Sequence, residues 1–251
     1  MSEKKISKFI IIPILLLFIS VFIYSIYNIV IWYIDGKNND KIIEETNSLI
    51  LEDEEEIIDE NTVNNINLNL LREKNNEVVG FIKVNGTQIE YSVVKHNNNS
   101  YYLTHSFDKS YNKYGWIFAH YANKFDGTDK NITLFGHNMR NGSMFGSLKN
   151  VLTPEWQLNE DNLRIIFITQ EGKYIYQVFS TYKVLKEEYF ATPSFKNDKE
   201  FLDFINTIKS RSTRNYGIEV LEDDQILTLS TCDKNNNYRV VLHAKKAYEI
   251  E

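Results

Sequence analysis

The apolar positions of this chain fall into three textures. The stretch FIIIPILLLFISVFIYSIYNIVIWYI, Phe9–Ile34, carries no charged residue. At 1.5 Å rise per residue it predicts a helix roughly 39 Å long, enough to cross a bilayer with some tilt. Pro13, near its start, is tolerated in a membrane helix. From 35 to 75 the chain turns polar, with an acidic run LEDEEEIIDEN at 51–61. Ile42, Ile43, Leu49, Ile50, Ile57, Ile58, Leu70 and Leu71 recur there at loosely helical spacing, which predicts one or two linker helices. The acidic run reads as a solvated helix face; a calcium site needs a tighter ligand loop.

From residue 78 onward the apolar runs are short and separated by turn residues. VVGFIKVNGTQIEYSVV (78–94) predicts a hairpin around Asn85-Gly86. Further strands are expected at WIFAHYA (116–122), NITLFGH (131–137), LRIIFIT (163–169), KYIYQVFSTYKVL (173–185), QILTLST (225–231) and RVVLHAK (239–245). QEG makes a second hairpin at 170–172, and FLDFINTIKS (201–210) shows helical periodicity. There is no internal repeat. The expected fold is mostly β with peripheral helices: a closed, antiparallel-rich barrel over 76–251. A cytoplasmic N-terminus (1–8), a transmembrane anchor (9–34) and a helical, acidic linker (35–75) are expected to precede it.

Composition narrows the possibilities. A chain of 251 residues that is 43% hydrophobic can bury one good core and carry an appendage. The net charge is −6 and no basic domain stands out, so a nucleic-acid partner is not expected. Lys4, Lys5 and Lys8 precede the apolar segment and Asp35 and Lys37 follow it. The positive-inside rule then puts the N-terminus in the cytoplasm and the barrel outside, with Trp32 and Tyr33 suited to the outer interface. The segment ends IVIWYIDGK, without the small residues of a cleavage site, and so reads as an uncleaved anchor. The single cysteine excludes an intrachain disulfide and a multi-cysteine zinc site.

That cysteine, Cys232, closes the apolar run TLSTC and is followed at once by DKNNN, which puts it at a barrel mouth. Arg239 opens the next run, across the hairpin; a cation there favours thiolate and can stabilise an oxyanion. The plain alternative is a small buried hydrophobe. A cysteine nucleophile normally needs an imidazole partner. Of five histidines, His137 stands where a strand ends, in ITLFGHNMRNGSMFGSL (132–148), and is the first candidate. His120, expected mid-strand, is the second. His243, inside the last strand, reads as structural, and His96 and His105 lie in polar loops.

TLSTC with an arginine on the following strand, and the strand-ending GHNMRNGSMF loop upstream, resemble the sortases, class B in particular. The likeness covers roughly residues 78–247 and runs in family order through GFIKVNGTQIEYSVV, YYLTHSF, the histidine segment, and TLSTC with its arginine. A late helix before the cysteine strand is also a class B feature. The resemblance implies Cys232 as nucleophile, His137 as general acid/base and Arg239 as stabiliser of the substrate carbonyl and oxyanion. It implies a substrate groove involving Ser230, and more loosely Asn138, Tyr189 and Thr231. The partners implied are surface proteins bearing an NPxTN- or NPxTG-like sorting signal and the amine of a peptidoglycan precursor, beside the membrane. No cofactor and no metal are implied. The chain departs from the family in Tyr91-Ser92-Val93-Val94, where Tyr-Pro-Val-Val is frequent, and in His120, where class B commonly has an acidic residue. Three other readings remain open: a cysteine peptidase releasing to water through the same Cys and His, a pilin-polymerising sortase, and a silent barrel that binds a wall component or protein and for which Cys232 and Arg239 are dispensable.

Overall fold

The computed structural model describes residues 8–49, 67–232 and 237–250; Lys8, Phe9 and Cys232 are described at the backbone only. The acidic run 51–61, with Ile57 and Ile58, lies outside the described residues, as does the polar turn at 233–236.

Eight strands close into a barrel: β1 (Val78–Val84), β2 (Ile89–Val94), β3 (Phe118–Ala119), β4 (Asn131–His137), β5 (Arg164–Thr169), β6 (Gly172–Leu185), β7 (Ile226–Cys232) and β8 (Tyr238–Glu249). Their order around the barrel is β1-β2-β3-β4-β7-β8-β6-β5, so no strand is left with an open edge. Hairpins make the β1–β2, β5–β6 and β7–β8 joints, all antiparallel. Two joints, β2–β3 and β4–β7, are parallel. The β4–β7 joint is possible because β5, β6 and a helix fill the long crossover that parallel neighbours require.

The hairpin signals map closely onto structure. The turn after β1 holds Gly86 at φ +69°, a conformation natural to glycine. Thr169 pairs with Gly172 across the two-residue turn of the second hairpin. The strand expected over 116–122 shrinks to Phe118–Ala119. His120 therefore lies just beyond a strand, not within one. The chain after it turns inward on its own side chains: the Asp129 carboxylate accepts from the backbone N–H of Lys124 and Phe125, and Asn123 donates to the Asn131 carbonyl. Local bonds of this kind compete with a ladder and end the strand.

Most of β1, β2 and β5 is buried on both faces, because the barrel interior lies on one side and loops or helices on the other. Helix α4 (Asp198–Ser210) follows two short helices, α2 (Leu68–Lys74) and α3 (Pro154–Leu158). Its apolar stripe Phe201, Phe204, Ile205 and Ile208 packs with Phe179, Tyr182, Ile226 and Val241 in a second core cluster. Asn197 caps it by accepting from the Glu200 N–H, and Asp198 and Glu200 favour its positive end.

The apolar segment forms α1 (Lys8–Ser48), which runs without a break past Ile34. The expected border between anchor and linker therefore falls inside one helix. Among the described residues one helix, Ile10–Ser48, is long and apolar enough to cross a membrane, and none of its apolar window is buried by the rest of the protein. Its C-terminal part docks on the barrel. Trp32 and Tyr114 stand with ring centroids 6.4 Å apart, Asn112 donates to the Asp35 carbonyl at 3.0 Å, and Ile42, Ile43 and Leu49 pack on the main core.

Candidate active site

The parallel joint between β4 and β7 sets the site. Its register runs Phe135↔Ser230, Gly136↔Thr231, His137↔Cys232, so both strands end side by side on one rim. The antiparallel joint of β7 with β8 reaches Ser230↔Val241, and the Val240 N–H donates to Thr231 Oγ1 at 3.1 Å. Arg239 lies two residues before Val241, near the start of β8, where it pairs with Val184 of β6. Arg239 is buried, at 7% exposure, and donates to the Tyr238 carbonyl at 3.1 Å.

These strand ends open into a cleft of about 880 Å³. His137, Arg239, Ser230 and Thr231 line it, together with His120 and a wall made by residues 186–188 and 190–193. Asn138 and Tyr189 lie outside that lining. Asn138 forms a bridge with Met144, and the Tyr189 ring rests on Phe204 with the Arg211 guanidinium 5.2 Å above it.

His137 Nε2 lies 2.7 Å from the Leu103 carbonyl oxygen. A carbonyl can only accept, so Nε2 is the donor in this bond. Leu103 ends a 3-10 turn, Tyr101–Leu103, which is held by the Trp116 N–H donating to the Tyr102 carbonyl. Gly115 sits against the same turn at φ +60°; a Cβ there would stand 2.3 Å from the Tyr102 oxygen and 3.2 Å from His137 Cδ2. Neither Leu103 nor Gly115 is signalled by the sequence. A backbone carbonyl has no residue signature, and the only hint is that Gly115 interrupts YNKYGWIF.

The remaining histidines separate cleanly. His120 is half-buried in the cleft, where Nδ1 accepts from the Ala122 N–H at 3.2 Å. Burial lowers its pKa, against an opposing pull from Glu188. His96 pairs with Glu77 at 2.7 Å, and His105 stacks on Tyr101 with centroids 4.0 Å apart. His243 is fully buried, between Thr228 and Tyr182. Among the described residues, no three His, Cys, Asp or Glu side chains cluster as a metal site would need.

A closed barrel with a histidine strand end registered against a cysteine strand end, and an arginine on the next strand, is an arrangement of the sortase type. The sortase domain family matches residues 82–247, and the chain belongs to that family. Its relatives are sortases B. It is 28% identical over 241 residues to sortase B of Listeria monocytogenes, covering 92% of this chain and 94% of that protein. The crystal structure of sortase B from Bacillus anthracis in complex with AAEK1 superposes with a TM-score of 0.75 at 31% identity, over 86% of this chain and 100% of the other. A Staphylococcus aureus sortase B–substrate complex does so with a TM-score of 0.72 at 28% identity, over 86% and 97%. Membership makes this chain a transpeptidase of cell-wall anchoring, a class that acts on surface proteins carrying a sorting signal.

Proposed function

We propose that the chain cleaves an NPxTN- or NPxTG-like sorting signal after its threonine and passes the protein to an amine of a peptidoglycan precursor. The observation that carries this reading is the register of His137 with Cys232 at the end of the parallel joint. Cys232 is the nucleophile: its thiolate sulfur bonds to the threonine carbonyl carbon, and the peptide C–N bond then breaks. His137 gives a proton to the departing amine. In the second half the acceptor amine bonds to the same carbon, the C–S bond breaks, and His137 takes the proton back. Arg239 meets the oxyanion in both halves; removing one such donor typically costs about a hundredfold or more in rate. Ser230 and Thr231 border the signal in the cleft, and Asn138 and Tyr189 act at its margins.

The helix α1 anchors the enzyme with Lys4, Lys5 and Lys8 on the cytoplasmic side and the barrel outside. Anchoring confines enzyme, signal-bearing protein and lipid-linked acceptor to one surface, which raises their effective concentration. The test is a peptide with an NPxTN or NPxTG core plus triglycine. The expected product is the peptide cut after threonine and joined to triglycine. Release of the free acid alone, at saturating triglycine, would favour a peptidase instead.

A further inference from the structure

Strands β4, β6, β7 and β8 each give one buried polar side chain to a single run of hydrogen bonds. They are Asn131, Tyr182, Thr228 and His243, none more than 1% exposed. Their directions can be assigned. Asn131 Nδ2 lies 3.2 Å from the Phe190 carbonyl and 2.9 Å from the Thr192 carbonyl, and donates to both. Asn131 Oδ1 then accepts from Thr228 Oγ1 at 2.6 Å. Having donated its one proton, Thr228 accepts from His243 Nδ1 at 2.8 Å. Burial, with the charge of Arg211, pushes His243 down to about 3, so its ring is neutral. Nε2 therefore accepts from the Tyr182 hydroxyl at 2.9 Å. Each proton is used once, and the run points from Tyr182 toward the cleft.

It ends on a part of the cleft that no ladder supports. Phe190 and Thr192 belong to the wall between the end of β6 at Leu185 and the start of α4 at Asp198. The other end of that wall is tied to the same place, because Glu187 pairs with Arg211, whose guanidinium stands 5.9 Å over the Tyr182 ring.

We propose that Asn131, Thr228, His243 and Tyr182 are positioning residues for the peptide substrate: they fix the 187–192 wall of the cleft and thereby set how tightly the sorting signal is held, rather than how fast it reacts. This rests on the reading that the cleft takes such a signal.

The test compares Thr228→Val with Thr228→Ser in the full chain in detergent. Valine has the same shape but leaves Asn131 Oδ1 and His243 Nδ1–H unpaired, whereas serine keeps the hydroxyl. With the NPxT-type peptide that the wild type uses, Thr228→Val is expected to raise KM about tenfold with kcat within about twofold, and Thr228→Ser to restore the wild-type KM. Hydrogen exchange supplies a readout that needs no substrate: amides of 187–192 exchange faster in the valine variant only. If Thr228→Val does not fold, Tyr182→Phe, which removes only the hydroxyl that starts the run, is read by the same exchange. Unchanged exchange across 187–192, or a loss of kcat at constant KM, overturns the proposal. If the wild type uses no signal peptide, the transpeptidase reading fails, while the exchange result still decides whether the run holds the wall.

Discussion

Gly115 has a left-handed backbone, and a side chain there would press on both the Tyr102 carbonyl and the His137 ring. Gly217 has a similar φ of +71° but faces open space. The pair separates strain from positioning. Gly115→Ala is expected to cost ~1–3 kcal/mol and to slow transfer about tenfold or more, because the ring leaves the Leu103 carbonyl. Gly217→Ala costs only the backbone strain, ~1 kcal/mol, and leaves the rate alone. Thermal unfolding and steady-state kinetics on both variants check this; equal rates in the two would contradict it. At this scale the sequence singles out candidates at strand ends. Cys232, His137 and Arg239 stand out because each lies at a junction between an apolar run and a polar loop. What steadies His137 is illegible, since a carbonyl brought in across 34 residues leaves no local pattern.

Hairpins are local, and their alternation and turn residues announce β1–β2 and β5–β6 in the sequence. The joint that builds the site is not local: β4 and β7 pair in parallel across β5, β6 and α4. Nothing in NITLFGH or QILTLST names the other as its neighbour. The short β3 is over-read for a related reason, because the Asn123 side chain takes up the Asn131 carbonyl and the Thr133 N–H of β4. Burial of His243 where β6, β7 and β8 meet has a consequence for acid stability. Its folded pKa of about 3 lies below the ordinary 6.5, so the unfolded chain binds a proton that the folded chain refuses between these values. Stability from this group is therefore full above about pH 6.5 and falls by about 1.4 kcal/mol per pH unit below it, levelling near pH 3. Denaturant midpoints between pH 7 and 5 should drop less steeply in His243→Gln than in the wild type. An unchanged slope would mean that His243 is not neutral and buried.

The whole molecule joins a long apolar helix to a barrel with little slack. The apolar part of α1 is roughly 39 Å long, and the same helix continues for about 20 Å along the barrel. Trp32 touches Tyr114, so the barrel sits where the helix leaves the apolar segment. Residues 36–49 are thus part of the folded unit. A fragment starting at residue 67 is expected to be less stable than one starting at 36 by about 2–3 kcal/mol, from lost packing of Ile42, Ile43 and Leu49. Equal melting temperatures would show that the docking contributes nothing. Of the one or two linker helices expected over 35–75, the stretch 35–48 is a continuation of α1, because amphipathic spacing shows that a segment is helical but not whether it is continuous with its neighbour.

The central claim, that Cys232 forms a thioester with a sorting signal under His137 acid catalysis, is tested most directly by mass spectrometry. The full chain would be mixed with peptides carrying NPxTN, NPxTG and LPxTG cores, without an acceptor amine. An acyl adduct on Cys232 is expected with an NPxT-type core, lost in Cys232→Ala and His137→Ala and kept in His120→Ala. An adduct that survives His137→Ala and vanishes in His120→Ala would contradict it, as would no adduct with any core.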